Sequence, residues 1–227
     1  MDAGELIAEF RALADDKSEP FLWDDASVLR WLNEAQDEAA ERARLLYDTH
    51  TPACCTLTLA IGESVYRLHD SVVQVIEAHT VSAEGKRTRL CRDDPHKFAA
   101  LTSFSDHPSS YAIIGQARSG QGLSILLDQP ALAADTLKLS VYRVALQPME
   151  LSVDDPEIAE SSHRKLVYYA LGIAFQTRDR EAPDTDQRST QFMSVFDAYF
   201  GAPRTAAVKQ KLQRHRVPVA TTRGGGW

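Results

Sequence analysis

The sequence predicts an α+β fold in which N- and C-terminal helices form a four-helix-type bundle, an antiparallel β-sheet or sandwich unit is inserted between them, and an extended basic arm follows. Three observations carry this. Apolar residues recur at helical spacing near both ends, alternate with period two through the middle, and thin out after Leu212 into Pro218, Thr221, Thr222 and Gly224-Gly225-Gly226. The expected organisation is residues 1–50 with 154–212 for the helices, 51–153 for the β unit, and 213–227 for the arm.

At the start, Leu6, Ile7, Phe10 and Leu13 fall on one helical face, and Asp15-Asp16-Lys17-Ser18-Glu19-Pro20 stops the run as a turn. A second helix follows. Asp24 or Asp25 serves as its N-cap, and Val28, Leu32, Ala35 and Ala39 form a stripe through to Leu46. Glu34, Asp37, Glu38, Glu41 and Arg42 are expected to face away from that stripe.

After Pro52 the period changes. Cys55, Leu57 and Leu59 alternate with Thr56 and Thr58, and a turn at Ile61-Gly62-Glu63-Ser64 leads to Val65-Tyr66-Arg67-Leu68, which reads as a hairpin. Further strands are expected at Val72 to Val81, Thr88 to Cys91, Tyr111 to Ile114, Leu123 to Leu127 and Leu137 to Ala145. Asp93-Asp94-Pro95 supplies a cap and an N1 proline for one short helix, His96 to Leu101. Helical period returns over Ser162 to Thr177 and Asp184 to Phe200, and Gly201 and Pro203 close the last helix.

Composition narrows the function classes. The chain has no apolar run of membrane-spanning length, and Asp2, Glu5 and Glu9 stand where a secretory leader carries basic residues, so a soluble protein without a signal is expected. Cys54 and Cys55 are adjacent and Cys91 is isolated, which matches neither a disulfide framework nor zinc-site spacing; burial as small apolar side chains in a reducing compartment is expected. The seven histidines lack HxxxH or HExxH spacing, and no cofactor is implied. Gly115, Gly120 and Gly122 lie between two strands without the Gly-Lys-Ser/Thr of a phosphate loop, so they read as a hairpin connection. Glu150, Asp154, Asp155 and Glu157 suggest either a cation cluster or a capping and turn signature before a helix; the second accounts for Asp-Asp-Pro more simply. No Gly-x-Ser-x-Gly elbow is present, so no catalytic residue is assigned and the chain is read as a non-enzyme.

One charge anomaly remains. The net charge is −7, yet Pro203 to Trp227 carries Arg204, Lys209, Lys211, Arg214, Arg216 and Arg223 with no acid. Such an arm suits nucleic-acid phosphates through counterion release, or an acidic protein neighbour with Trp227 as a buried anchor.

The segment Glu5-Leu6-Ile7-Ala8-Glu9-Phe10, then Trp23-Asp24-Asp25-Ala26-Ser27-Val28-Leu29-Arg30-Trp31-Leu32-Asn33-Glu34-Ala35-Gln36, resembles the opening of the head-to-tail adaptor (connector) proteins of tailed bacteriophages. The Leu57-Thr58-Leu59, Gly62, Tyr66 and Leu68 positions, the strand from Leu137 to Arg143, and Asp155-Pro156-Glu157-Ile158 before His163, Leu166, Val167, Tyr169, Ala170 and Leu171 extend the resemblance in order across most of Leu6 to Phe200. The resemblance implies a homo-oligomeric ring, typically of twelve subunits, in the virion neck. It would be fixed to the portal protein on one side and to tail or nozzle proteins on the other, with double-stranded DNA passing through the lumen and no membrane involved; assembly takes place in the host bacterial cytoplasm. On this reading Lys209, Lys211, Arg214, Arg216, Arg223 and Trp227 bind a partner, and Asp37, Glu38 and Glu41 pack between subunits. Two other classes stay open on sequence alone: a nucleic-acid-binding regulator using the basic arm, and a small hydrolase or transferase with its site in the β unit.

Overall fold

The computed structural model describes residues 1–98, 107–115, 122–150, 153–177 and 183–203, with the backbone alone at 183–185. Its elements run α1 (Ala3–Ala14), α2 (Asp25–Ala43), β1 (Leu46–Asp48), α3 (Pro52–Cys55), β2 (Thr56–Thr58), β3 (Val65–Arg67), β4 (Val72–Val81), β5 (Arg87–Arg89), β6 (Cys91–Arg92), α4 (Pro95–Phe98), β7 (Ser110–Gly115), β8 (Leu123–Leu127), β9 (Thr136–Arg143), a 3-10 turn (Glu160–Ser162), α5 (His163–Thr177) and α6 (Pro183–Phe200). The fold is mixed α+β, with six α-helices and two sheets among the described residues.

The described chain divides into two compact units. One comprises Met1–Cys55, Ser71–Ile76 and the chain from Ser140 through α6; the other comprises Thr56–Asp70 and Glu77–Leu139. In the first, local sequence sets the helix ends. Asp2 and Glu5 make a reciprocal capping box on α1, the Asp2 carboxylate accepting the Glu5 N–H at 2.8 Å, and Asp24 accepts the Ser27 N–H at 2.7 Å to start α2. Both helices end on a left-handed residue, Asp15 (φ 59°) and Arg44 (φ 54°).

α1 buries Ala3, Leu6 and Phe10, but of the expected face Ile7 is half-buried and Leu13 exposed; α2 buries Val28, Leu32, Ala35 and Ala39 as expected from period, and Trp31 besides. α5 is apolar nearly all round, burying Leu166, Val167, Tyr169, Ala170, Leu171, Ala174 and Phe175, and it packs against α1, α2 and α6. A chain of aromatic rings fills the space between: Phe10 on Trp23, Trp23 on Phe175, Phe175 on Phe192, with centroids 5.6 to 5.8 Å apart. Burying each such ring contributes about 1.5–3 kcal/mol.

The β elements differ from the expectation in three respects. Residues 55–59 and 65–68 do not pair as a hairpin. β2 lies antiparallel to β9 (Leu57 opposite Leu137) and β3 lies antiparallel to β8 (Tyr66 opposite Ile125), so the turn at Gly62 (φ +85°) joins two sheets. The reason is competition for backbone partners: Leu59 N–H donates to Asp135 C=O and Gly62 N–H to Ala131 C=O, both at 2.8 Å. Cys55 belongs to the helical turn α3 instead of the strand.

Second, the expected strand from Thr88 to Cys91 is two strands. β5 pairs with β4, Leu90 is buried at the crossing, and β6 pairs with β7 in parallel, so the β part is not wholly antiparallel. Strand order is β1-β9-β4-β5, with β2 also on β9, and β3-β8-β7-β6. Third, α2 ends at Ala43 and residues through Leu46 no longer extend it; Leu46 already pairs with Arg143 in β1, a strand the sequence reading did not contain. The short helix at α4 stands where expected, as far as residue 98; its expected remainder lies outside the described residues.

Candidate functional site

A densely connected polar group among the described residues of the first unit is Asp48, at the end of β1. Its Oδ1 accepts the N–H groups of His50 (2.9 Å) and Thr51 (3.0 Å), and its Oδ2 accepts the Thr51 hydroxyl (2.7 Å) and Arg143 Nε (2.8 Å). Arg143 Nη1 in turn donates to Glu157, whose other oxygen accepts the Leu146 N–H at 2.7 Å. Burial pushes the Asp48 carboxyl up, but the two N–H donors and the guanidinium outweigh it and hold it well below the ordinary range.

Cys54 and Cys55 close the cluster, with sulfurs 3.6 Å apart and 3.9 and 3.5 Å from the Asp48 oxygens. One ligand atom from each of these three residues lies within 4.8 Å of the others, a spacing that could hold a metal. A metal there would have to displace both thiol protons. Burial raises both thiols, and for Cys55 the neighbouring Cys54 and Asp48 raise it further, so the protonated forms that donate to Asp48 are favoured over thiolates. The cluster is an ionic tie between β1, β9 and the Glu157 loop. Nothing in the sequence flagged it, because Asp48 and Arg143 lie 95 residues apart.

Of the residues expected to contact partners, Lys209, Lys211, Arg214, Arg216, Arg223 and Trp227 lie outside the described residues. Asp37 and Glu38 are half-buried on α2. Glu41 and Arg42 do not face away from the core as expected: they are 5% and 6% exposed. α6 packs on that side, and Arg42 donates to Glu38 (2.8 Å) and to Asp197 (2.7 Å) and lies over the Phe196 ring at 5.2 Å. A charge pattern on one helix could not show that another helix covers it.

The acids from Glu150 to Glu157 line a cleft of about 430 Å³ together with Gln147, Pro148, Met149 and Val153. The Asp154 carboxylate accepts the Glu150 N–H at 2.8 Å and its carbonyl accepts the Ala3 N–H at 2.8 Å, a turn role. The capping half of the expectation does not hold: the 3-10 turn starts after Ala159 with no side-chain cap. Gly115 and Gly122 flank the connection between β7 and β8 as expected, residues 116–121 lying outside the described residues. Cys54 and Cys55 are buried as expected, whereas Cys91 is exposed.

Exposed apolar side chains mark candidate contact surfaces. In the first unit these are Leu13, Phe21, Leu22, Leu45, Tyr47, Val153 and Tyr199; in the second, Ile61, Val65 and Leu132. Tyr47 and Tyr142 face each other on β1 and β9 with centroids 5.5 Å apart, and Arg44 lies over Tyr142. Among the described residues no helix is long and apolar enough to cross a membrane.

A family model described as SU10 adaptor protein matches residues 1–222. A search of curated proteins found no match.

Proposed function

Since the chain belongs to the SU10 adaptor protein family, a family of phage head-to-tail adaptors, we propose that it forms a ring of twelve subunits in the virion neck that joins the portal to tail or nozzle proteins and surrounds the DNA channel. The observation that carries this is the family match over residues 1–222. It agrees with the ordered motif from Glu5 to Leu171 and with the exposed aromatic and aliphatic side chains, which a ring subunit buries against its neighbours. Helices from both ends of the chain pack on a common core, which supports a bundle that serves as the assembling body.

The role is structural. The conspicuous titratable cluster, Asp48 with Cys54, Cys55 and Arg143, is committed to hydrogen bonds within the subunit, which supports assembly over catalysis. Half-exposed Asp37 and Glu38 lie at the subunit contact, whereas Glu41 is buried within the subunit. Lys209, Lys211, Arg214, Arg216, Arg223 and Trp227 form the partner-binding segment, reaching a neighbouring subunit or the portal. DNA in the lumen is passed without sequence readout.

Mass photometry of the purified chain, alone and with its portal protein, tests the proposal, with a chain ending at Leu212 in parallel. A ring-sized complex with the portal, weakened by the truncation, is the expected result. A monomer indifferent to the portal that instead shifts duplex DNA in a gel overturns it.

A further inference from the structure

The connection between α1 and α2 holds two apolar side chains out to solvent in a fixed position. Arg11 organises it: Nη1 donates to Asp16 at 2.9 Å, Nη2 donates to the Trp23 carbonyl at 3.0 Å and to Asp25, and the guanidinium lies 3.6 Å from the centroid of the Phe21 ring. The Leu22 N–H donates to Asp16 Oδ1 at 2.9 Å. With the backbone fixed on both sides, Phe21 remains 38% and Leu22 52% exposed. Ordered, exposed apolar side chains of this kind are features of contact surfaces.

The surroundings are acidic. Between residues 12 and 29, Lys17 is the one basic residue, against Asp15, Asp16, Glu19, Asp24 and Asp25; of these acids all but Asp16 are exposed. An apolar spot flanked along the chain by exposed carboxylates suits a partner with basic residues around an apolar anchor. Residues 204–227 have that composition: Arg204, Lys209, Lys211, Arg214, Arg216 and Arg223, no acid, and Trp227. These 24 residues after Pro203 span up to about 80 Å when extended, enough to reach a neighbouring copy.

We propose that the Phe21-Leu22 loop of one copy receives residues 213–227 of a second copy. Trp227 packs on Phe21 and Leu22, and Arg214, Arg216 and Arg223 lie against Asp15, Glu19 and Asp24. This rests on the ring reading above and names the surface to which the basic segment binds.

Photocrosslinking tests it on the full chain. Leu22→p-benzoyl-phenylalanine protein is prepared in isotopically heavy and light forms, mixed, assembled with the portal protein and irradiated, and the crosslinked peptides are identified by mass spectrometry. Heavy–light pairs joining residue 22 to residues 213–227 are expected, with yield reduced about threefold in the Asp15→Asn/Glu19→Gln variant and at high salt, as screened charge pairs require. Pairs of one isotope only mean that the segment folds back on its own chain, and overturn the proposal. Crosslinks from residue 22 to any other surface overturn the occupant while leaving the ring, read by mass photometry of the same sample, intact. A sample that stays monomeric with portal overturns both.

Discussion

Arg143 on β9 and Asp48 on β1 form an ion pair at 2.8 Å in which both side chains are nearly excluded from water, 12% and 9% exposed. Because Arg143 also donates to Glu157, one guanidinium joins two strands and the chain that leads into α5. Such a pair is worth little over a well-packed apolar replacement, but breaking it leaves a charge without its partner. Arg143→Met is therefore expected to lower unfolding free energy by about 3 kcal/mol, read by urea denaturation. Loss below about 0.5 kcal/mol, the ordinary range for surface substitutions, would show the tie to be ornamental.

The same pair sets an acid limit. The Asp48 carboxyl is depressed in the fold relative to its ordinary value of 3.8, so its stabilisation is complete above that value and is lost as pH falls toward the folded value. Thermal melts from pH 5 to about pH 2 should fall more steeply for the native chain than for Asp48→Asn, whose side chain does not titrate. Parallel curves would remove Asp48 as the source.

His79 titrates in a different window. Burial, then the nearby Arg87 and Lys138 charges, lower its value from 6.5 despite Glu77, so the neutral ring is the folded form. Stability is present above 6.5 and declines as pH falls below it. His79→Gln should flatten the stability profile between pH 7 and 5, and an unchanged profile refutes the assignment.

Gly172 on α5 faces Met193 on α6: a Cβ placed there would meet Met193 Cγ at 2.6 Å and Sδ at 2.5 Å. Gly172→Ala should cost about 1–3 kcal/mol by overpacking, although alanine is the better helix former, and Met193→Ala in the same chain should recover part of it. A stabilising Gly172→Ala would mean the two helices separate without penalty.

The three thiols separate by access. Cys91 is exposed while Cys54 and Cys55 are buried and held protonated. Native chain treated with iodoacetamide at pH 8 should be modified at Cys91 alone, with Cys54 and Cys55 reacting only after denaturation. Peptide mass spectrometry distinguishes the sites, and early labelling of Cys54 or Cys55 contradicts the buried cluster.

What the sequence determined by itself was local or periodic. Asp24 as a cap, the stripes of α2 and α5 and part of that of α1, the strands at Val72–Val81 and Leu123–Leu127, and the ordered motif of the adaptor family are all legible because neighbouring residues on one element decide them. Tertiary structure alone decided which strand accepts which backbone partner. Leu57 and Tyr66 alternate as a hairpin would, yet β9 and β8 take their hydrogen bonds, and Cys91 leaves β5 to run parallel with β7. It also decided which charges are surface: Glu41 and Arg42 were expected to face away from the apolar stripe yet lie inside the protein, Arg42 against Asp197 and Phe196 of α6. Asp48 and Arg143 met for the same reason. Periodicity records which face of an element is apolar, whereas pairing and burial depend on what the rest of the chain places against that face, and that information is not local.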